Sequence, residues 1–175
     1  MTKNPFVGLR PYKISEKNIF YGRESEVESM LSTLQKNKFV LLTGPSGSGK
    51  SSLINAGLIP RLKNGFTGQA GTDWSICHFR PGFSPINNLS YSLSCGELVS
   101  DGKPKTSDFK YYKDSILEFQ SLSVAKIYNE SEISKNKNLL IIIDQIEDLF
   151  VFQNNLNKEL KEDELIFNLI SRTVR

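Results

Sequence analysis

Two short apolar runs, each followed by a polar break, set the frame of the chain. Phe39, Val40, Leu41 and Leu42 precede a stretch of Gly and Ser, and Leu139 to Ile143 precede an acidic one. Both runs are strand-sized, so both read as buried parallel strands. Elsewhere the apolar period is that of helices. Val27, Met30, Leu31 and Leu34 share one helical face, opened by the S-x-x-E capping box Ser25-Glu26-Val27-Glu28 and ended at Asn37 and Lys38. Lys50 to Leu58 predicts a second helix, with Pro60 as its stop and a turn at Lys63-Asn64-Gly65. Trp74 to Phe79 predicts a strand closed by the breaker Arg80-Pro81-Gly82. Leu89 to Leu98 and Ser115 to Tyr128, the latter with Ile116, Phe119, Leu122 and Ile127 near a helical period, predict helices. Ser100 to Lys113 and Ser131 to Asn138 read as loops, and Leu156, Leu160, Phe167, Ile170 and Val174 predict a last helix. At the N-terminus Pro5 and Pro11 favour an extended segment, whose Phe6, Val7, Leu9 and Tyr12 offer apolar surface for packing. The alternation of strands and helices predicts an α/β fold with a mainly parallel sheet.

The break after Leu42 carries the chemistry. Gly44, Pro45, Ser46, Gly47, Ser48, Gly49, Lys50 and Ser51 match G-x-x-x-x-G-K-[ST], the P-loop motif. A phosphate chain needs several backbone N–H groups aimed into one concave loop, and side chains there would block its approach. The following helix adds partial positive charge at its N-terminus. Lys50 supplies a full charge for the outer phosphates, and Ser51 places a hydroxyl for Mg²⁺. With Ser52, the next residue, these form the candidate phosphate-binding set. A Gly/Ser linker would match this pattern only by chance, and the strand before and helix after argue against one.

Asp144 ends the second apolar run, the hhhhD pattern of a Walker B strand, where an aspartate can orient the Mg²⁺ shell. Glu147 and Asp148 follow. Either can polarise an attacking water, with Glu147 preferred, and either can be a solvated acid at a helix start. Phe20-Tyr21-Gly22-Arg23-Glu24 lies just before the first helix. A turn at Gly22 beside an aromatic suits a flat base, while an ordinary helix lead-in with Arg23 solvated explains it equally. Arg80 at a strand end reads as a surface arginine, with a nucleotide-facing role as the alternative. His78, the sole histidine, reads as structural.

Composition narrows the partners. A net charge of +3 on 175 residues, without a long Lys/Arg cluster, gives no ground for direct nucleic-acid binding. No apolar run reaches membrane-spanning length and no signal peptide is visible, so a membrane is not expected. Cys77 and Cys95 form no C-x-x-C pair or disulfide framework, which fits a reducing cytoplasm.

With these residues in hand the chain resembles the nucleotide-binding domain of the STAND NTPases, in their bacterial "novel STAND" branch. NPFVGLRPY, FYGRE, GPSGSGKSSLINAGLIPRL, the segment from Trp74 through Arg80-Pro81-Gly82 to Pro85, and IIIDQIEDLF carry the likeness from end to end. The resemblance implies a three-layer P-loop sandwich that binds ATP and Mg²⁺ and hydrolyses ATP slowly, as a switch. Lys50 and Ser51 would bind phosphates and Mg²⁺, Asp144 the metal shell, Glu147 would assist hydrolysis, and Gly22 and Arg23 would lie on the adenine side. It also implies residues 1–38 as an adenine-side segment and 39–175 as the NTPase core. Partners would be effector or repeat domains in a longer chain, with a nucleotide-dependent oligomer.

In such domains a further strand with a polar sensor, then a helical lid, follows the Walker B helix. The sequence ends at Arg175 before either, so the core is expected to be incomplete at its C-terminus, with a gap in the sheet beside the P-loop strand. In a complete short chain the two anchor strands would instead pair directly. The alternatives are a nucleotide-binding or interaction module without turnover, and a P-loop kinase or GTPase. The guanine signature N-K-x-D fails at Asn136-Lys137-Asn138-Leu139 and at Asn157-Lys158-Glu159-Leu160, and an Arg-rich kinase lid is not visible.

Overall fold

The computed structural model describes residues 7–65, 71–95, 106–131, 136–151 and 162–173. They fall into two compact units, Met1–Asp73 and Trp74–Arg175.

In the first unit a 3₁₀ turn, Ile14–Ile19, leads to α1, Glu24–Asn37. Val27, Met30, Leu31 and Leu34 are all buried on one face of α1, as their spacing requires. The expected capping box is absent. α1 begins ahead of Ser25, its N-cap Arg23 makes no side-chain capping hydrogen bond, and the Glu24 carboxylate accepts from the Gly22 N–H at 3.1 Å. Lys38 ends the helix in the left-handed conformation, with its N–H bonded to the Leu34 carbonyl at 2.8 Å.

The next helical stretch runs from α2, Lys50–Ser52, through a π turn, Leu53–Leu58, into α3, Ile59–Lys63. Pro60 was expected to stop it and does not. The Ile59 N–H reaches back to the Ile54 carbonyl, and this wider turn gives the proline ring room that a regular α-helix denies it. The stretch ends at the predicted turn, where the Gly65 N–H bonds to the Leu62 carbonyl at 3.0 Å with Gly65 at φ 83°.

The apolar run Phe39–Leu42 departs from expectation. Among the described residues the sheet contains two strands, and this run is in neither; Phe39 and Leu41 are exposed. Without a laddered neighbour the run gains no sheet hydrogen bonds, and Val40 and Leu42 are only partly buried.

In the second unit β1, Trp74–Phe79, and β2, Asn138–Ile143, pair in parallel from Trp74 opposite Asn138 to Phe79 opposite Ile143. The Asp144 N–H extends the ladder by donating to the Phe79 carbonyl at 2.9 Å. Alternation sends Ser75, Cys77 and Phe79 inward. The last two meet Ile86, Leu89 and Leu93 of α4, Pro85–Cys95. Helices α5, Thr106–Phe119, α6, Ser123–Glu130, and α8, Glu162–Thr173, complete this core with Tyr112, Ile116, Val124, Ile127, Ile166 and Leu169. Full burial of each such aliphatic side chain stabilises by about 1.5–3 kcal/mol.

Three expectations change here. Helix α5 starts at Thr106, so Thr106 to Lys113 is helix rather than loop. The helix expected over Ser115 to Tyr128 is broken at Gln120, which sits at φ 47°. There the Gln120 carbonyl accepts from the Ser123 hydroxyl at 2.7 Å. Helix α4 begins at Pro85, earlier than the expected Leu89, because proline suits a first helical position. The end of the helix expected to Leu98 (96–98), the loop expected at 100–105, half of that at 131–138, and the helix residues Leu156, Leu160 and Val174 lie outside the described residues.

Candidate functional site

The first unit holds the phosphate-loop residues. Gly47 and Gly49 lie at φ 79° and 84°, where a residue with a Cβ is strained. A Cβ on Gly47 would meet nothing within 4 Å, and one on Gly49 only Arg23 Nη1 at 3.8 Å. Glycine is needed here for backbone shape, and the loop face it leaves is open, as a phosphate cradle requires. Gly44 is different: a Cβ there would press on Ser48 Oγ at 3.1 Å. Lys50 folds back over the loop and donates from Nζ to the carbonyls of Gly44 at 2.7 Å and Pro45 at 3.0 Å. Its ammonium therefore sits at the mouth of the loop. The Ser48 N–H closes the turn onto the Pro45 carbonyl at 3.2 Å. Ser46, Ser48, Ser51 and Ser52 complete the set, on the loop and the first turn of α2.

Two contacts join the N-terminal segment to this loop, and sequence reasoning did not foresee either. Arg23 Nη1 donates to the Ser48 carbonyl at 3.3 Å, while its Nε pairs with Glu26 Oε1 at 2.5 Å. Arg23 is thus not simply solvated. The Tyr12 N–H donates to Ser52 Oγ at 3.2 Å, and the Tyr12 ring stands edge-on to Phe20 with centroids 5.3 Å apart. Gly22 takes φ 80°, the predicted turn, and leaves Tyr21 exposed.

The second unit holds the acidic residues, all just past the C-terminal end of β2. Asp144 is half-buried, with Oδ2 3.9 Å from His78 Nε2. Burial pushes the His78 pKa down, and the Asp144 charge opposes that shift. Glu147 is exposed, whereas Asp148 is buried at the start of α7, Asp148–Val151. Arg80 does not stand alone at the surface. It donates from Nε to Asp148 Oδ2 at 2.6 Å and from Nη2 to Oδ1 at 3.3 Å. This pairing holds the Asp148 carboxyl below the usual carboxylate range. Cys77, buried on β1, donates to Ser92 Oγ at 3.3 Å, and burial pushes its thiol up to about 11.

A nucleotide with Mg²⁺ fits these donors by chemistry. A glycine-shaped cradle, a lysine and a serine hydroxyl meet a triphosphate, and Mg²⁺ on a triphosphate takes only one or two protein oxygens. Among the described residues no group of three or more His, Cys, Asp or Glu side chains could hold a metal alone. A hydroxyl assisting a phosphate-bound ion needs no such cage.

The family model described as Novel STAND NTPase 1 matches residues 5–174. The chain belongs to the Novel STAND NTPase 1 family. Comparison with curated proteins finds no match, and comparison with solved structures finds none. Membership in an NTPase family accords with a P-loop of the observed form and with an α/β fold containing a parallel strand pair.

Proposed function

We propose that this Novel STAND NTPase 1 chain binds ATP·Mg²⁺ at the loop Gly44–Ser51 and serves as a nucleotide-dependent switch, hydrolysing ATP slowly. The observation that carries the reading is the loop itself: left-handed glycines at 47 and 49, with the Lys50 ammonium held at the mouth by two loop carbonyls. Phosphate oxygens would take over those lysine contacts. The loop N–H groups and the start of α2 would stabilise the β- and γ-phosphates. Ser51 and Asp144 would attend the same Mg²⁺, within a three-layer sandwich whose core is 39–175. Gly22 and Arg23 would face the adenine from the segment 1–38. Glu147 would orient the attacking water. Mg²⁺ supplies charge neutralisation between phosphates. Nucleotide state would then set the relation of this module to effector or repeat domains, or to further copies.

Two measurements test this. ATP·Mg²⁺ at about 100 times its dissociation constant adds roughly 2.7 kcal/mol, raising the thermal midpoint. Lys50→Ala is expected to remove that rise, and a rise that persists in the variant refutes phosphate binding through this loop. Phosphate release by the wild type is expected to exceed that of Glu147→Gln. Equal release sinks the hydrolytic part of the proposal.

A further inference from the structure

The tips of two adjacent parallel strands meet in a contact that binding and hydrolysis, as described, do not use. Arg80 leaves β1 directly and grips Asp148 through two nitrogens, at 2.6 and 3.3 Å. The exit loop is itself fastened, because Asn88 Nδ2 of α4 donates to the carbonyls of Arg80 at 3.2 Å and Pro81 at 2.9 Å. On the other side, the turn after β2 is tight. Gln145 lies at φ 57°, and the Asp148 N–H closes onto the Gln145 carbonyl at 3.0 Å. Asp144 and Glu147 are carried on this turn, one end held by the sheet ladder and the other by Asp148.

We infer that Arg80 is a positioning residue: by clamping Asp148 it fixes the turn carrying Asp144 and Glu147, and it removes Asp148 as an acid directed at water. The part concerning hydrolysis rests on the function proposed above; the part concerning the turn does not. Asp148 is gripped by a bidentate arginine, with its side chain 9% exposed. A carboxylate so gripped and so little exposed offers little to a solvent water. Glu147, its neighbour, is exposed. Of the two acids, Glu147 is the one that can reach a substrate water.

The test uses the full chain with Arg80→Ala, Arg80→Lys, Asp148→Asn and the Ala/Asn double variant. Hydrogen exchange at amides 144–149 is expected to quicken in Arg80→Ala and Asp148→Asn, with α5 amides unchanged. The ATP-induced thermal shift stays. Turnover falls about 10- to 100-fold in kcat at constant KM, the usual scale for losing a group that orients a functional residue. Arg80→Lys recovers part of the loss, and the double variant is no worse than the poorer single one. Unchanged exchange at 144–149 in Arg80→Ala overturns the clamp, as does a uniform rise through the whole second unit. Turnover lost in Asp148→Asn but intact in Arg80→Ala would make Asp148 the water-directing acid and also overturn it. If the wild type gives no ATP shift, the nucleotide reading falls while exchange still decides the clamp.

Discussion

Arg80 and Asp148 show what one pair of side chains can do at the end of a sheet. The arginine holds the Asp148 carboxyl below its ordinary range, so the pair stabilises the fold only while Asp148 is ionised. The Arg80 pKa is raised above its ordinary value, first by its hydrogen bond to Asp148 and then by the charges of Asp148, Asp144 and Glu147. The sign follows from linkage: a carboxyl lowered in the native state contributes fully above its unfolded pKa of about 4, and that contribution is lost as pH falls through the native value. Wild type is therefore expected to be more stable than Asp148→Asn at neutral pH in chemical denaturation, the gap closing under acid. A gap unchanged down to about pH 2 would contradict the pairing. The contact was not legible in the sequence, because its partners stand 68 positions apart and neither carries a local signal. The phosphate loop was legible because its determinants are local: glycines at fixed offsets, then Lys50 and Ser51. Arg23 sits between these cases, its motif visible but its hold on the Ser48 carbonyl fixed only by the fold.

Elements were readable where one face is buried. The apolar spacing on α1 and the alternation on β1 translate directly into burial. Misreadings came where a second factor competed with pattern. Phe39–Leu42 has strand composition, but a strand exists only with a ladder, and among the described residues none pairs with it. Pro60 is a breaker by type, and the π turn before it absorbs the ring. The break at Gln120 follows from local backbone bonding that the apolar spacing of Ile116, Phe119 and Ile127 conceals.

That π turn also packs closely on α1. A Cβ on Gly57 would lie 2.5 Å from Val27 Cγ2. Alanine gains about 1 kcal/mol of helix propensity over glycine. Overpacking costs typically about 1–3 kcal/mol, and β-branched Val27 has little freedom to turn aside. Gly57→Ala is therefore expected to be net destabilising in urea unfolding, with partial rescue by Val27→Ala. A stabilised Gly57→Ala would show that the two helices separate without cost.

At the scale of the whole molecule, family membership over residues 5–174 and the P-loop geometry give the chain an NTPase character. No helix among the described residues is long and apolar enough to cross a membrane. The central proposal is ATP·Mg²⁺ binding, with Ser51 and Asp144 as the protein oxygens that serve the metal. Calorimetric titration of ATP with and without Mg²⁺ addresses it most directly, in wild type, Ser51→Ala, Asp144→Asn and the double variant. The account predicts that Mg²⁺ tightens ATP binding in the wild type, that each single variant erases most of that gain, and that the double variant loses no more than either. A Mg²⁺ gain that survives Asp144→Asn intact, or losses that simply add, would contradict it.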